Sequence, residues 1–143
     1  MKLKILVADD SKSVRLLLKT CFEELGHEVV GEAENGAEAL LEYAKIKPDV
    51  ISLDINMPLM NGIEAAKLIK KNFSDAKIVM TTGESNTETV KEAISAGASQ
   101  YLLKPIKKNK VEEALEKISG NKKSTETTET IDDTTKEENV NNN

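Results

Sequence analysis

The stretch Val50-Ile51-Ser52-Leu53-Asp54-Ile55-Asn56-Met57-Pro58 decides how the chain is read. A short apolar run ends in a carboxylate and then in a proline-broken loop, the pattern of a buried strand that delivers an acid. Alone, an aspartate after a strand is an ordinary turn former or helix cap. Asp54 gains meaning from what the other strands bring to the same place.

Working outward, Leu3 to Ala8 is a β-rich run that ends in Asp9-Asp10-Ser11. Val14, Leu17, Leu18, Cys21, Phe22 and Leu25 then recur at three- and four-residue spacing, which predicts a helix with Cys21 in the core and a stop at Gly26. His27 follows in a loop and takes no role. A weaker second strand spans 28–33, and Asn35 with Glu38 opens a helix whose inward residues are expected to be Ala37, Leu40, Leu41 and Ala44. After Asp54, the loop from Pro58 to Gly62 leads to a helix started by Asn61 and Glu64, with Ala65, Ala66 and Ile69 inward. The fourth strand spans 77–82. Ser85 with Glu88 is expected to cap the next helix, which bears Val90, Ala93 and Ile94 and ends at Gly97. The fifth strand, 100–103, finishes in Lys104-Pro105. Asn109 and Glu112 then open a last helix with Val111, Ala114, Leu115 and Ile118 on one face.

A β-then-α unit thus occurs five times, and right-handed crossovers turn such a series into a parallel sheet covered by helices on both faces. Every strand but the second is a nearly continuous apolar run, as burial on both faces requires. From Gly120 to Asn143 the character changes. This tail has three lysines against six acids, and only Ile131 and Val140 are large and apolar, so it is expected to be a disordered appendage to a domain formed by residues 1–119.

Composition narrows the function. At 143 residues with one cysteine, the chain supports a single core without disulfides, and its first residues are too short an apolar run for a signal peptide or membrane span. A cytoplasmic protein without membrane contact is the expectation. A net charge of −5 and only four aromatic residues, two Tyr and two Phe, argue against nucleic-acid binding.

In an open α/β sheet, ligands bind beyond the carboxyl ends of the strands, where the winding direction reverses. Asp9 and Asp10 follow the first strand, Asp54 ends the third, Thr82 the fourth, and Lys104 follows the fifth. Clustered carboxylates without His or Cys point to Mg²⁺, a hard cation that keeps several waters. A facing lysine and hydroxyl suit a phosphoryl group, which makes Asp54 the nucleophile of an aspartyl phosphate. The chain has no Walker loop and no GxGxxG, so the phosphoryl group must come from another molecule.

These residues resemble the response-regulator receiver domain of two-component signalling over residues 1–119. The resemblance is carried by Asp9-Asp10, by Asp54 with Asn56-Met57-Pro58 and Asn61-Gly62, by Thr82, and by Lys104-Pro105 preceded by Tyr101. It implies a flavodoxin-like (βα)₅ fold with strand order 2-1-3-4-5. It also implies phosphorylation of Asp54 by a histidine kinase, with Mg²⁺ held by Asp9, Asp10, Asp54 and the Asn56 backbone carbonyl. Thr82 and Lys104 would contact the phosphoryl oxygens, Tyr101 would report the switch, and the Lys104-Pro105 bond would be cis. Gly83 departs from the family, which more often has Ala there; Asn56 and Glu84 occupy positions that tune phosphoryl lifetime.

The tail after the last helix is too short and too polar for a DNA-binding output domain, so a single-domain protein like the chemotaxis regulators is the expectation, and the resemblance implies a phosphorylation-activated switch rather than an enzyme acting on a substrate. It would act on a protein target through the surface of helix four, strand five and helix five, with a phosphatase as a further partner. A phosphorelay intermediate serving a histidine phosphotransfer protein is the alternative within signalling. A dehalogenase-type phosphatase would need Asp-x-Asp after its first strand and a cap segment, whereas Asp54-Ile55-Asn56 follows the third strand. A metal-binding structural module is the remaining alternative.

Overall fold

A computed structural model describes residues 2–84 and 86–120. The expected cap Ser85 and the tail beyond Gly120 lie outside the described residues. The elements are β1 (Lys4–Ala8), α1 (Lys12–Glu24), β2 (Glu28–Ala33), α2 (Gly36–Ile46), β3 (Val50–Asp54), α3 (Gly62–Asn72), β4 (Ile78–Thr82), α4 (Thr87–Ser95), β5 (Gln100–Leu103) and α5 (Lys108–Ser119). They build one parallel sheet in the order β2-β1-β3-β4-β5, the flavodoxin-like arrangement.

Alternation along each strand divides the interior into two layers. On one face Ile5, Val7, Val50 and Val79 pack against Leu18 and Phe22 of α1 and Leu115 of α5. On the other, Leu6, Ile51, Leu53 and Met80 meet Tyr43 of α2, Ile69 of α3 and Ala93 of α4. Every residue of β3 and β4 is buried, while in the edge strand β2 only Ala33 is, which accounts for its weaker apolar pattern.

Helix starts follow from short polar caps. Asn35 and Asn61 accept from the backbone of Glu38 and Glu64, and at Asn61 the glutamate returns the bond to complete a capping box. At α4 the cap is Asn86, which accepts from Thr89, in place of the expected Ser85. Helix α5 has Lys107 at its N-cap position and no side-chain cap bond, so Asn109 lies inside the helix rather than at its start.

The buried faces of α2 and α4 are rotated from expectation, while α1 keeps Val14, Leu18, Phe22 and Leu25 on the core as expected and departs only at Leu17. In α2 the buried residues are Gly36, Ala39 and Tyr43, while Leu41 is 68% exposed and Ala44 lies outside. The aromatic ring of Tyr43, stacked at a tilt on Phe73, turns the helix toward its bulkier side. In α4 Thr89 and Ala93 face inward and Ile94 outward. In α1 Leu17 is exposed, and the buried stripe includes Arg15 beside Leu18, Cys21 and Phe22.

Candidate functional site

The winding reverses at β1 and β3, because β1 pairs with both β2 and β3. The sequence-predicted acids gather there. Asp9 follows β1 and is fully buried; its backbone N–H donates to Ala33 across the sheet at 3.0 Å. Asp54 closes β3 at 3% exposure, and Asp10 stands in solvent beside them. One carboxylate oxygen from each of Asp9, Asp10 and Asp54 lies within 4.8 Å of the others.

Lys104, just past β5, reaches over this group. Its Nζ lies 3.1 Å from Asp9 Oδ2 and 3.2 Å from Asp54 Oδ1. The other Asp9 oxygen accepts from the Ser11 N–H at 2.8 Å, so Asp9 is held from both sides. One ammonium serves two buried carboxylates, and the balance shows in the acidity of Asp54. Burial and the charge of Asp9 push the Asp54 carboxyl up to about 6, against the opposing pull of Lys104. Burial works against charged Lys104, but its hydrogen bond to Asp9 and the charge of Asp54 outweigh that, and its pKa rises. The site therefore has more buried negative charge than Lys104 neutralises. Together with an all-oxygen donor set, that fits a hard divalent cation such as Mg²⁺.

Loop geometry is set by close backbone approach. The Gly62 N–H donates to Ile55 at 2.9 Å, and a Cβ at Gly62 would sit 2.2 Å from the Asp54 carbonyl oxygen. Only glycine lets α3 begin against the end of β3. Among the described residues no hydrogen bond ends on the Asn56 carbonyl, which leaves it free to act as a ligand.

Thr82 and Tyr101 meet at Glu84 rather than at the carboxylates. Thr82 Oγ1, fully buried at the end of β4, accepts from the Glu84 N–H at 3.1 Å, and the Tyr101 hydroxyl donates to the Glu84 carbonyl. The Lys104-Pro105 peptide is cis, as expected.

Sequence reading missed three features. Arg15 is buried and donates to the Asp9 carbonyl; its signal was a charge at helical spacing from Leu18 and Phe22. Ser52 and Thr81 are fully buried and their hydroxyls have no partner among the described residues, and no pattern of residue types distinguishes them from strand filler. Glu84 joins Thr82 to Tyr101 through its backbone, which its side-chain type cannot reveal.

A doubly wound sheet with an acid cluster at its switch point and a lysine bridging two of the acids defines a receiver of the response-regulator kind. Residues 5–116 match the response regulator receiver domain, and the chain belongs to that family. It is similar to the chemotaxis protein CheY of Thermotoga maritima, 43% identical over 116 residues that cover 81% of this chain and 97% of that one. CheY of Bacillus subtilis is 40% identical over 114 residues, covering 80% and 95%. Among solved structures, the CheX-CheY-BeF₃-Mg²⁺ complex from Borrelia burgdorferi aligns with a TM-score of 0.79 at 27% identity, covering 81% of this chain and 88% of that one.

Proposed function

We propose that the chain is a CheY-like phosphorylation switch, in which residues 1–119 form the receiver and Asp54 accepts a phosphoryl group from a histidine kinase. The observation that carries this reading is the convergence of Asp9, Asp10 and Asp54 under Lys104, with the Lys104 ammonium 3.2 Å from the Asp54 oxygen that would attack. With its carboxyl near 6, Asp54 is about ten parts ionised to one protonated at pH 7, so its nucleophilic form predominates.

In the transfer, an Asp54 oxygen bonds to phosphorus as the bond to the donor's imidazole nitrogen breaks, and the imidazole leaves with the electron pair of that bond. Asp9, Asp10, Asp54 and the Asn56 carbonyl would hold Mg²⁺. When bound, the ion neutralises the carboxylates and the charge on the phosphoryl oxygens. Lys104 supplies a fixed ammonium to those oxygens, and the Thr82 hydroxyl donates to one of them.

Thr82 and Tyr101 share Glu84, so a Thr82 drawn toward the phosphoryl group pulls on the backbone that holds the tyrosine. That is the differential contact a two-state switch needs. The face formed by α4, β5 and α5 is the target surface, and the solvent-facing Ile94 and Leu103, 61% and 49% exposed, support it. A phosphatase that removes the group is a further partner. Among the described residues no helix is long and apolar enough to cross a membrane, consistent with a cytoplasmic switch. The chemotaxis relatives favour the switch over a relay.

Acetyl phosphate with Mg²⁺ tests the assignment by intact-protein mass spectrometry. An adduct of one phosphoryl group is expected in wild type, lost with EDTA and in Asp54→Asn. An adduct that persists in Asp54→Asn places the acceptor elsewhere.

A further inference from the structure

Arg15 lies on the apolar stripe of α1, on the same face as Leu18 and Phe22, at 8% exposure. A buried guanidinium is tolerated only where its donors are used. Its fork is divided between two elements. The Nη1 group donates to the Asp9 carbonyl at 2.7 Å, and Nε donates to Glu32 Oε1 of β2 at 2.7 Å. Glu34 lies farther off, 4.0 Å from Nη2.

The Asp9 carbonyl belongs to the peptide unit that joins Asp9 to Asp10. Because that unit is planar, holding its oxygen sets the direction of the Asp10 N–H and the Cα from which the Asp10 carboxylate starts. The other bonds here restrain Asp9: its N–H to Ala33 and its carboxylate to Ser11 and Lys104. Asp10 is exposed, and among the described residues its carboxylate makes no hydrogen bond or ion pair.

We propose that Arg15 is a positioning residue for the acid cluster, fixing the peptide between Asp9 and Asp10 so that the Asp10 carboxylate faces a cation shared with Asp9 and Asp54. This rests on the magnesium reading above. Two effects of Arg15 oppose each other: its positive charge repels a cation, while its hydrogen bond preorganises a ligand. Glu32, paired at 2.7 Å, cancels the charge locally, so the geometric effect wins. Removing Arg15 therefore weakens metal binding.

Mg²⁺ alone is titrated into the full chain and the Asp10 and Ser11 backbone amides are followed by NMR, with circular dichroism reporting the fold. Arg15→Met should raise the Mg²⁺ dissociation constant by about tenfold or more, the range for outer-shell partners of metal ligands, and should displace the Asp10 amide signal before metal is added. Arg15→Lys keeps the charge but has one nitrogen for two acceptors, so it should weaken binding in the same direction by less. If Arg15→Met does not fold, Arg15→Lys decides. Wild type that fails to bind Mg²⁺ overturns the magnesium reading itself. Wild type that binds, with folded variants binding equally or more tightly, overturns the role of Arg15 and leaves that reading intact.

Discussion

Asp54→Asn should stabilise the metal-free protein at neutral pH. Burial and Asp9 raise the Asp54 carboxyl from 3.8 to about 6, so the folded state holds this proton more tightly than the unfolded chain does. At about 1.36 kcal/mol per pKa unit, keeping Asp54 ionised above pH 6 costs roughly 3 kcal/mol. Asparagine has the same shape and no charge. The shift already includes the opposing pull of Lys104, so the loss of that ion pair is counted in it, and a gain of about 1–3 kcal/mol is expected.

The sign with pH follows from the raised value: between about 4 and 6 the folded state binds more protons, so wild-type stability falls as pH rises through that window. His27 acts oppositely, since burial lowers its pKa and stability rises as pH climbs from that lowered value to the ordinary one. Both proteins share His27, so the difference between them isolates Asp54. Urea unfolding in EDTA at about pH 7.5 and about pH 4.5 measures that difference. The variant should lead at the higher pH, and most of the gap should close at the lower one. A gap absent at pH 7.5, or equal at both pH values, refutes the claim that buried negative charge strains this site.

Two further substitutions test the structure beneath the site. Gly62→Ala should destabilise by about 3 kcal/mol or more despite alanine's helix propensity, because the new Cβ meets the Asp54 carbonyl at 2.2 Å and backbone cannot yield as a side-chain tip can; an unchanged urea midpoint would count against that contact. Thr81→Val keeps the shape and removes a fully buried hydroxyl that has no partner among the described residues, so it should stabilise by about 1 kcal/mol. A loss of similar size would show that a water satisfies Thr81.

Much of this protein is local information. Five alternating strand and helix patterns, with asparagine caps at Asn35 and Asn61, determine a doubly wound sheet, because a parallel strand pair needs a crossover and crossovers have one hand. Strand ends then determine which residues can share an edge, and Asp9, Asp10, Asp54 and Lys104 meet there. Tertiary structure alone decided the rest. The rotation of α2 depends on how Tyr43 packs with Phe73, and periodicity alone had placed Leu41 and Ala44 inward. Arg15 reads as a misplaced surface charge until folding brings Glu32 and the Asp9 carbonyl to it from other parts of the chain. Glu84 links Thr82 to Tyr101 through its backbone amide and carbonyl, groups that every non-proline residue carries and that only the fold can aim.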